Sequence, residues 1–75
     1  MEATASAHKH GVPIEDMQHA LRHHLQAFPQ DERGFKMFVG PSTTGELLEI
    51  GVVTRDDQAR IVHAMPARTK FRLRT

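Results

Sequence analysis

The stretch LLEIGVVT at residues 47–54 is the longest apolar run in the chain. It is rich in β-branched residues, which pack well on a pleated surface, and turn-forming stretches flank it at 41–46 (PSTTGE) and 55–59 (RDDQA). This pattern predicts a central β-strand. On either side, FKMFVG at 35–40 alternates in hydrophobicity and RIVHAM at 60–65 stops at a proline, so both are predicted to be strands as well.

The segment ahead of these strands predicts a helix over residues 13–27. Pro13 suits the first helical position, and the acids Glu15 and Asp16 lie in the first turn, where the helix dipole favours them. Apolar residues recur at three- and four-residue steps and form one stripe. The stripe contains Ile14, Met17, Leu21, Leu25 and Phe28.

Connections as short as these favour antiparallel neighbours. The predicted fold class is therefore α+β, with one main amphipathic helix packed on a three-stranded antiparallel β-meander and a basic C-terminal segment. We expect Leu21 and Leu25 of the helix to pack on a sheet face formed around Leu47, Ile50 and Ile61.

The 75 residues predict a single small domain over 1–75, with residues 1–7 frayed. Its core is thin, so a homodimer is one way to complete it. The chain has no cysteine, which fits a reducing cytosol. It has neither an apolar run long enough to cross a membrane nor a start typical of a signal peptide, so the predicted location is cytoplasmic.

The charge is unevenly distributed although the formal net charge is only +1. Residues 1–57 contain nine acids and five bases, whereas residues 58–75 contain five bases and no acid. Such asymmetry indicates an anionic partner for the C-terminal segment, with nucleic acid the leading candidate. A solvated basic tail would give the same composition.

His63 is the candidate for chemistry, because it is predicted to lie near the end of a strand beside this basic segment. Histidine can transfer protons near neutral pH, and neighbouring cations stabilise the charge that develops when a ribose 2′-hydroxyl attacks its own phosphodiester. The alternative is a half-buried strand histidine beside a solvated edge. Asp56 and Asp57 are interpreted as turn residues.

Six histidines raise a metal-binding alternative. His19 and His23 have the four-residue helical spacing that lets two imidazoles share one ion, and His8 and His10 form a second pair. No cysteine supports such a site and the HExxH pattern is absent. We therefore predict no structural metal site and no cofactor.

Taken in order, the motifs resemble the BrnT group of small RelE-like toxins. The shared pattern is a Lys-His-Gly-(Val/Ile) segment, an amphipathic helix, a G-x-x-x-x-G-x-L-L hairpin and a last strand with an I-(I/V)-x-A step. The resemblance covers roughly residues 7–72. The matching residues are Lys9, His10, Gly11, Gly40, Gly45, Leu47, Leu48, Ile61, Val62 and Ala64.

The resemblance implies the toxin of a bacterial type II toxin–antitoxin system, acting as a metal-independent endoribonuclease. Its partners would be RNA and an antitoxin of ribbon-helix-helix or helix-turn-helix type. His63 and Arg68 are the predicted catalytic residues. The predicted nucleic-acid contacts are Lys9, Arg60, Arg68, Lys70, Arg72 and Arg74.

One departure from the toxin pattern leaves an alternative open. The toxins carry an Arg-Lys pair directly after the alanine of the last strand, whereas this chain has Met65 and Pro66 there. The alternative is a non-catalytic relative that keeps the fold and binds nucleic acid or a partner protein.

Overall fold

The computed structural model describes residues 1–71, which form one α-helix, two short 3₁₀ helices and a five-stranded sheet. The helix α1 spans Ile14–Arg22, and the 3₁₀ helices span Ala5–His8 and Thr69–Phe71. The strands are β1 (Glu2–Ala3), β2 (Gln26–Ala27), β3 (Phe35–Pro41), β4 (Leu47–Arg55) and β5 (Gln58–Pro66).

The sheet is mixed, with the strand order β1-β5-β4-β3-β2. Strands β3, β4 and β5 form the antiparallel meander that the sequence predicted, but β2 adds to β3 and β1 pairs with β5 in parallel. The prediction of a three-stranded antiparallel meander is therefore wrong. Both additional strands are two residues long, which is too short for hydrophobic alternation to reveal them.

The N-terminal residues, which we expected to be frayed, join the sheet and the core. Glu2 and Ala3 pair with Arg60 and Ile61, and the backbone N–H of Thr4 donates to the Ile61 carbonyl at 2.9 Å. Ala7 in the following 3₁₀ helix is fully buried.

Helix α1 ends at Arg22 rather than at residue 27, because the chain beyond it bonds to β3. The backbone N–H of Leu25 donates to the Val39 carbonyl at 2.8 Å, and that of Phe28 donates to the Met37 carbonyl at 2.9 Å. Leu25 is 60% exposed, so its predicted place in the core is wrong.

The helix packs on β3 and β4 through a close backbone approach. A Cβ atom at Gly40 of β3 would collide with the carbonyl oxygen of Ala20 in α1, so this position requires glycine. Leu21 packs against the same core from the helix side. The buried core residues are Ala7, Val12, Met17, Ala20, Leu48, Ile50, Val52, Ile61 and Ala64.

The opposite face of the sheet is covered in part by the segment that follows β5. The backbone N–H of Ala67 donates to the Leu47 carbonyl at 2.9 Å and ties this segment to the edge of the β3–β4 hairpin.

Leu48, not the half-buried Leu47, belongs to the helix-side core, so the expected role of Leu47 was wrong. Met37 and Val39 are buried on the face away from the helix.

The β4–β5 turn consists of Asp56 and Asp57, which both have positive φ angles, 51° and 65°. Arg55 pairs with Gln58 across it, so the loop is a two-residue hairpin turn, in which aspartate is a common residue. The interpretation of this pair as turn chemistry is confirmed.

The burial pattern of the helix predicts opposite outcomes for two apolar truncations. Met17 is fully buried, so Met17→Ala should lower the free energy of unfolding by about 2–5 kcal/mol. Leu25→Ala should change it by less than about 0.5 kcal/mol because Leu25 is exposed. Urea unfolding of both variants provides the measurement, and a larger loss for Leu25→Ala would contradict the observed helix end.

Candidate functional site

Glu49 is a charged residue at the centre of the sheet and is 0% exposed. It lies in the middle of β4, with Val39 of β3 and Met65 of β5 as its cross-strand neighbours. Strand alternation places its side chain on the face away from α1, since Leu48 and Ile50 on either side belong to the helix-side core. A carboxylate in this position requires partners.

Those partners are Arg68 and His63. The backbone N–H and the Nε of Arg68 donate to Glu49 Oε1 at 2.9 and 3.0 Å, and its Nη2 donates to Oε2 at 2.8 Å. His63 Nε2 lies 2.7 Å from Oε2. Among the described residues 1–71, no buried side-chain nitrogen or oxygen lacks a hydrogen-bond partner. Glu49, His63 and Arg68 together form the Glu49 cluster.

The Glu49 carboxylate is held in its ionised form. Burial alone would raise its pKa, but hydrogen bonds from the Arg68 side chain and backbone and from His63 outweigh burial and lower the pKa from 4.5 to about 2. The same contact raises the pKa of Arg68, with the hydrogen bond to Glu49 as its main cause. Because Glu49 is ionised at neutral pH, its oxygens only accept hydrogen bonds. Nε2 of His63 therefore carries a hydrogen and donates a hydrogen bond to Oε2.

His63 is therefore oriented through one of its two ring nitrogens. Within residues 1–71, Nδ1 has no hydrogen-bond partner, and the side chain is 26% exposed. Gly51 on the neighbouring strand leaves room for the His63 Cβ atom and for the Phe35 ring. A Cβ atom at position 51 would lie 3.0 Å from the His63 Cβ and 2.7 Å from the Phe35 ring.

A second histidine stands beside the first. The ring centroids of His10 and His63 are 6.2 Å apart, with an angle of 74° between the ring planes. His10 is exposed and follows the 3₁₀ helix Ala5–His8. Two imidazoles, one of them bound to a carboxylate, thus lie side by side at the surface.

An aromatic ring and two cations complete the surroundings of the Glu49 cluster. The Arg68 guanidinium carbon and Lys70 Nζ lie 5.3 and 5.1 Å from the centroid of the Phe71 ring, which is within cation–π range. Phe71 in turn meets Phe28 edge to face, with 5.5 Å between ring centroids. These contacts place the positive charge of residues 68–70 on the same side of the sheet as Glu49.

The predicted site residues are only partly brought together. His63 and Arg68 meet at Glu49, with Lys70 close to Arg68 through Phe71. Arg60 pairs with Val53 nearer the β4–β5 turn, and Lys9 is an exposed residue after the first 3₁₀ helix. The predictions for Arg72 and Arg74 lie outside the described residues.

Sequence reasoning missed Glu49 and His10 as members of this site. Glu49 is the only acid within the apolar run 47–54, and an acid in such a run is a signal that it needs a buried partner. The position of His10 beside His63 depends on the parallel pairing of β1 with β5, which the sequence did not reveal.

The helix histidines are arranged differently from a metal centre. His19 Nδ1 donates to the Pro41 carbonyl at 2.8 Å, and its ring lies 4.6 Å from that of His23. Over residues 1–71, no three histidine, aspartate or glutamate side chains are placed to hold one ion.

Comparison of the chain with protein-family models, curated proteins and solved structures finds no match. In the part of the chain that the structure describes, no helix has the length and apolar character needed to span a bilayer.

The lowered pKa of Glu49 predicts acid sensitivity. A carboxyl whose folded pKa lies below its unfolded value stabilises the fold fully above the unfolded pKa, and this contribution is lost as the pH falls toward the folded value. We expect the free energy of unfolding to decrease from about pH 5 toward pH 2. Asp16 and Asp31 also have lowered pKa values, so a variant must isolate the share of Glu49.

Glu49→Gln should remove that share and cost about 1–3 kcal/mol at pH 7, because the amide cannot accept all the hydrogen bonds that Arg68 and His63 donate to the buried carboxylate. Glu46→Gln is the matched control, since Glu46 is exposed in the preceding loop. Urea unfolding at pH 7 and pH 3 measures both variants. If the free energy of unfolding fell by the same amount between pH 7 and pH 3 in the wild type and in Glu49→Gln, the assignment would be contradicted.

Removal of metal should have no effect on stability. Dialysis against EDTA should leave the melting temperature unchanged. If EDTA lowered the melting temperature and zinc restored it, the prediction would be wrong and His19 and His23 would be candidate zinc ligands.

Proposed function

We propose that this chain is the toxin of a bacterial type II toxin–antitoxin system and cleaves RNA in the cytoplasm without a metal ion. The observation that carries the proposal is the carboxylate-bound His63 with His10 beside it and Arg68 and Lys70 nearby. The comparisons with known proteins contribute nothing in either direction. The resemblance of the motifs to BrnT-group toxins supports the same reading.

The chemistry that fits this arrangement is transfer of the phosphodiester to the adjacent ribose 2′-oxygen. The 2′-oxygen forms a bond to phosphorus while the bond from phosphorus to the 5′-oxygen breaks. The products are a 2′,3′-cyclic phosphate and a 5′-hydroxyl. One group must accept the proton of the 2′-hydroxyl and another must supply a proton to the departing 5′-oxygen.

His63 suits the role of base. Glu49 Oε2 accepts a hydrogen bond from the Nε2–H group, so the lone pair of the neutral ring is on Nδ1. The ionised carboxylate also stabilises the imidazolium that forms when Nδ1 accepts a proton, as the buried aspartate does in serine proteases. Glu49 thus acts as a positioning residue, because it does not contact the substrate itself.

His10 suits the role of acid. Its ring centroid lies 6.2 Å from that of His63, so we place both imidazoles around one phosphodiester, with His10 next to the departing 5′-oxygen. The hydrogen bonds from Arg68 to Glu49 use Nε, Nη2 and the backbone N–H. Nη1 has no hydrogen-bond partner in residues 1–71, so it can donate to a phosphate oxygen.

An antitoxin of ribbon-helix-helix or helix-turn-helix type would act by covering this face. An acidic segment is the complement of Lys70 and of the remaining donors of Arg68. Because the covered surface includes His63, the same contact would exclude RNA.

The second candidate is a non-catalytic relative that binds nucleic acid or a partner protein. The observation that favours it is that Arg68 donates hydrogen bonds from Nε and Nη2 to Glu49, so these donors are not available to a phosphate. The Arg-Lys pair of the toxins is also replaced here by Met65 and Pro66. In this reading the Glu49 cluster is a structural clamp.

Alanine substitution of the two histidines separates these candidates. His63→Ala should reduce cleavage of single-stranded RNA by about 10²–10⁴-fold, leave RNA binding nearly unchanged and abolish growth arrest on expression. His10→Ala should also slow cleavage and flatten the high-pH decline of kcat/KM, since that decline reports loss of the proton from the acid. His23→Ala is the control, because His23 is an exposed histidine directly after α1.

Cleavage and growth arrest by His63→Ala at the wild-type level would exclude the catalytic role. Wild-type protein that binds RNA but neither cleaves it nor arrests growth would instead establish the non-catalytic relative.

A further inference from the structure

A groove of about 570 Å³ lies on the sheet beside the β4–β5 turn. Its walls include Thr4, Arg55 and Arg60, and Val53 and Val62 provide apolar surface between them. This volume is within the range of small-ligand sites, about 300–1,000 Å³. The proposed cleavage of RNA at His63 does not involve the groove.

The groove continues the face that carries His63. On β4, Gly51 and Val53 alternate with helix-side residues, and they pair with His63 and Arg60 of β5. A register shift at this point makes Val62 the extra residue of a β-bulge. With a strand rise of about 3.3 Å per residue, Arg60 lies roughly 7–10 Å from His63 along β5.

Two arginines give the groove its charge. Neither Arg55 nor Arg60 forms an ion pair with any residue of 1–71, and Arg60 Nη2 has only a 3.5 Å contact to Gln58 Oε1. Asp56 also lines the groove and offsets one of the two positive charges. The lining therefore keeps a net charge of +1, and its guanidinium donors are available to an anion.

An aromatic ring lies next to both Val53 of the groove and the Gly51–His63 pair. Phe35 pairs with Val53, and its ring leans over Gly51, where a Cβ atom would lie 2.7 Å from it. Phe35 is half-buried, so part of its ring is accessible. A half-exposed aromatic ring beside unpaired arginines is the combination that binds unpaired bases and the phosphates that connect them.

We propose that the groove binds the nucleotides of a single-stranded RNA next to the phosphodiester held at His63. Phosphates contact Arg55 and Arg60, and a base lies on Phe35 and Val53. An unpaired strand is required because bases within a duplex are stacked on each other and do not reach an aromatic side chain. This inference rests on the proposed function for the position of the cleaved bond, but the binding itself does not depend on cleavage.

The test measures binding in the His63→Ala background, so that RNA stays intact. Fluorescence anisotropy follows a labelled 12-nucleotide single-stranded RNA over a range of salt concentrations. Arg55→Ala/Arg60→Ala should weaken binding about 10- to 100-fold and reduce the slope of log K against log salt by about 1.4, or 0.7 for each lost phosphate contact. Phe35→Leu should weaken binding while leaving that slope unchanged, because it removes a stacking surface and no charge.

Arg22→Ala/Arg33→Ala is the matched control, since it removes two exposed arginines that do not line the groove. Circular dichroism melts should show that both double variants are folded. Binding by Arg55→Ala/Arg60→Ala equal to that of the control would overturn the proposal, as would equal affinity for a duplex RNA of the same length.

The two proposals fail separately. If the wild type does not cleave RNA but Arg55 and Arg60 still govern its binding, the catalytic function is wrong and the groove assignment stands. If cleavage requires His63 but the arginine variant binds and cleaves like the control, the groove assignment is wrong and the catalytic function stands.

Discussion

The buried carboxylate of Glu49 is the constraint on which the second face of the sheet depends. Its oxygens accept hydrogen bonds from Arg68 and from His63, which lie 19 and 14 residues further along the chain. A glutamate without these partners would destabilise the fold, so the chain after β5 must return across the sheet. The segment that supplies the positive charge is thus held in place by the one acid beneath it.

This arrangement changes what the uneven charge of the chain means. Five bases without an acid in residues 58–75 indicate a uniformly cationic surface, yet one of them, Arg68, is largely committed to an internal contact. Lys70 is exposed and, like Arg68, lies against the Phe71 ring. Arg60 lies apart from them, nearer the β4–β5 turn. The positive charge is therefore divided between two places on one face, with histidine and phenylalanine rings between them.

The sequence predicted the parts of the fold that repeat over several residues. The three long strands and the Asp56–Asp57 turn follow from alternation and turn chemistry. The helix was predicted too long because Leu25 and Phe28 continue the apolar spacing, although both belong to the chain that runs along β3. Strands of two residues carry no period, so β1 and β2 were invisible.

The candidate site was predictable to a similar extent. His63 and Arg68 stand out by residue type beside a basic segment. Glu49 was overlooked because its neighbours in sequence are apolar and its partners are distant. His10 was noticed as a possible ligand, but only the tertiary structure brings it to His63. Residue type identified the chemistry, and long-range pairing decided which residues take part in it.

The parallel pairing of β1 with β5 also bears on how the protein folds. Glu2 and Arg60 are separated in sequence by the helix and most of the meander. Their pairing therefore has a larger loop-closure entropy cost than the hairpins do. The hairpins are expected to form first, as local contacts usually do. Until β1 arrives, β5 is an open edge whose backbone groups can pair with any other strand, including one from a second molecule. A strand of two residues thus covers part of the edge at which a newly folded sheet could otherwise pair with another molecule.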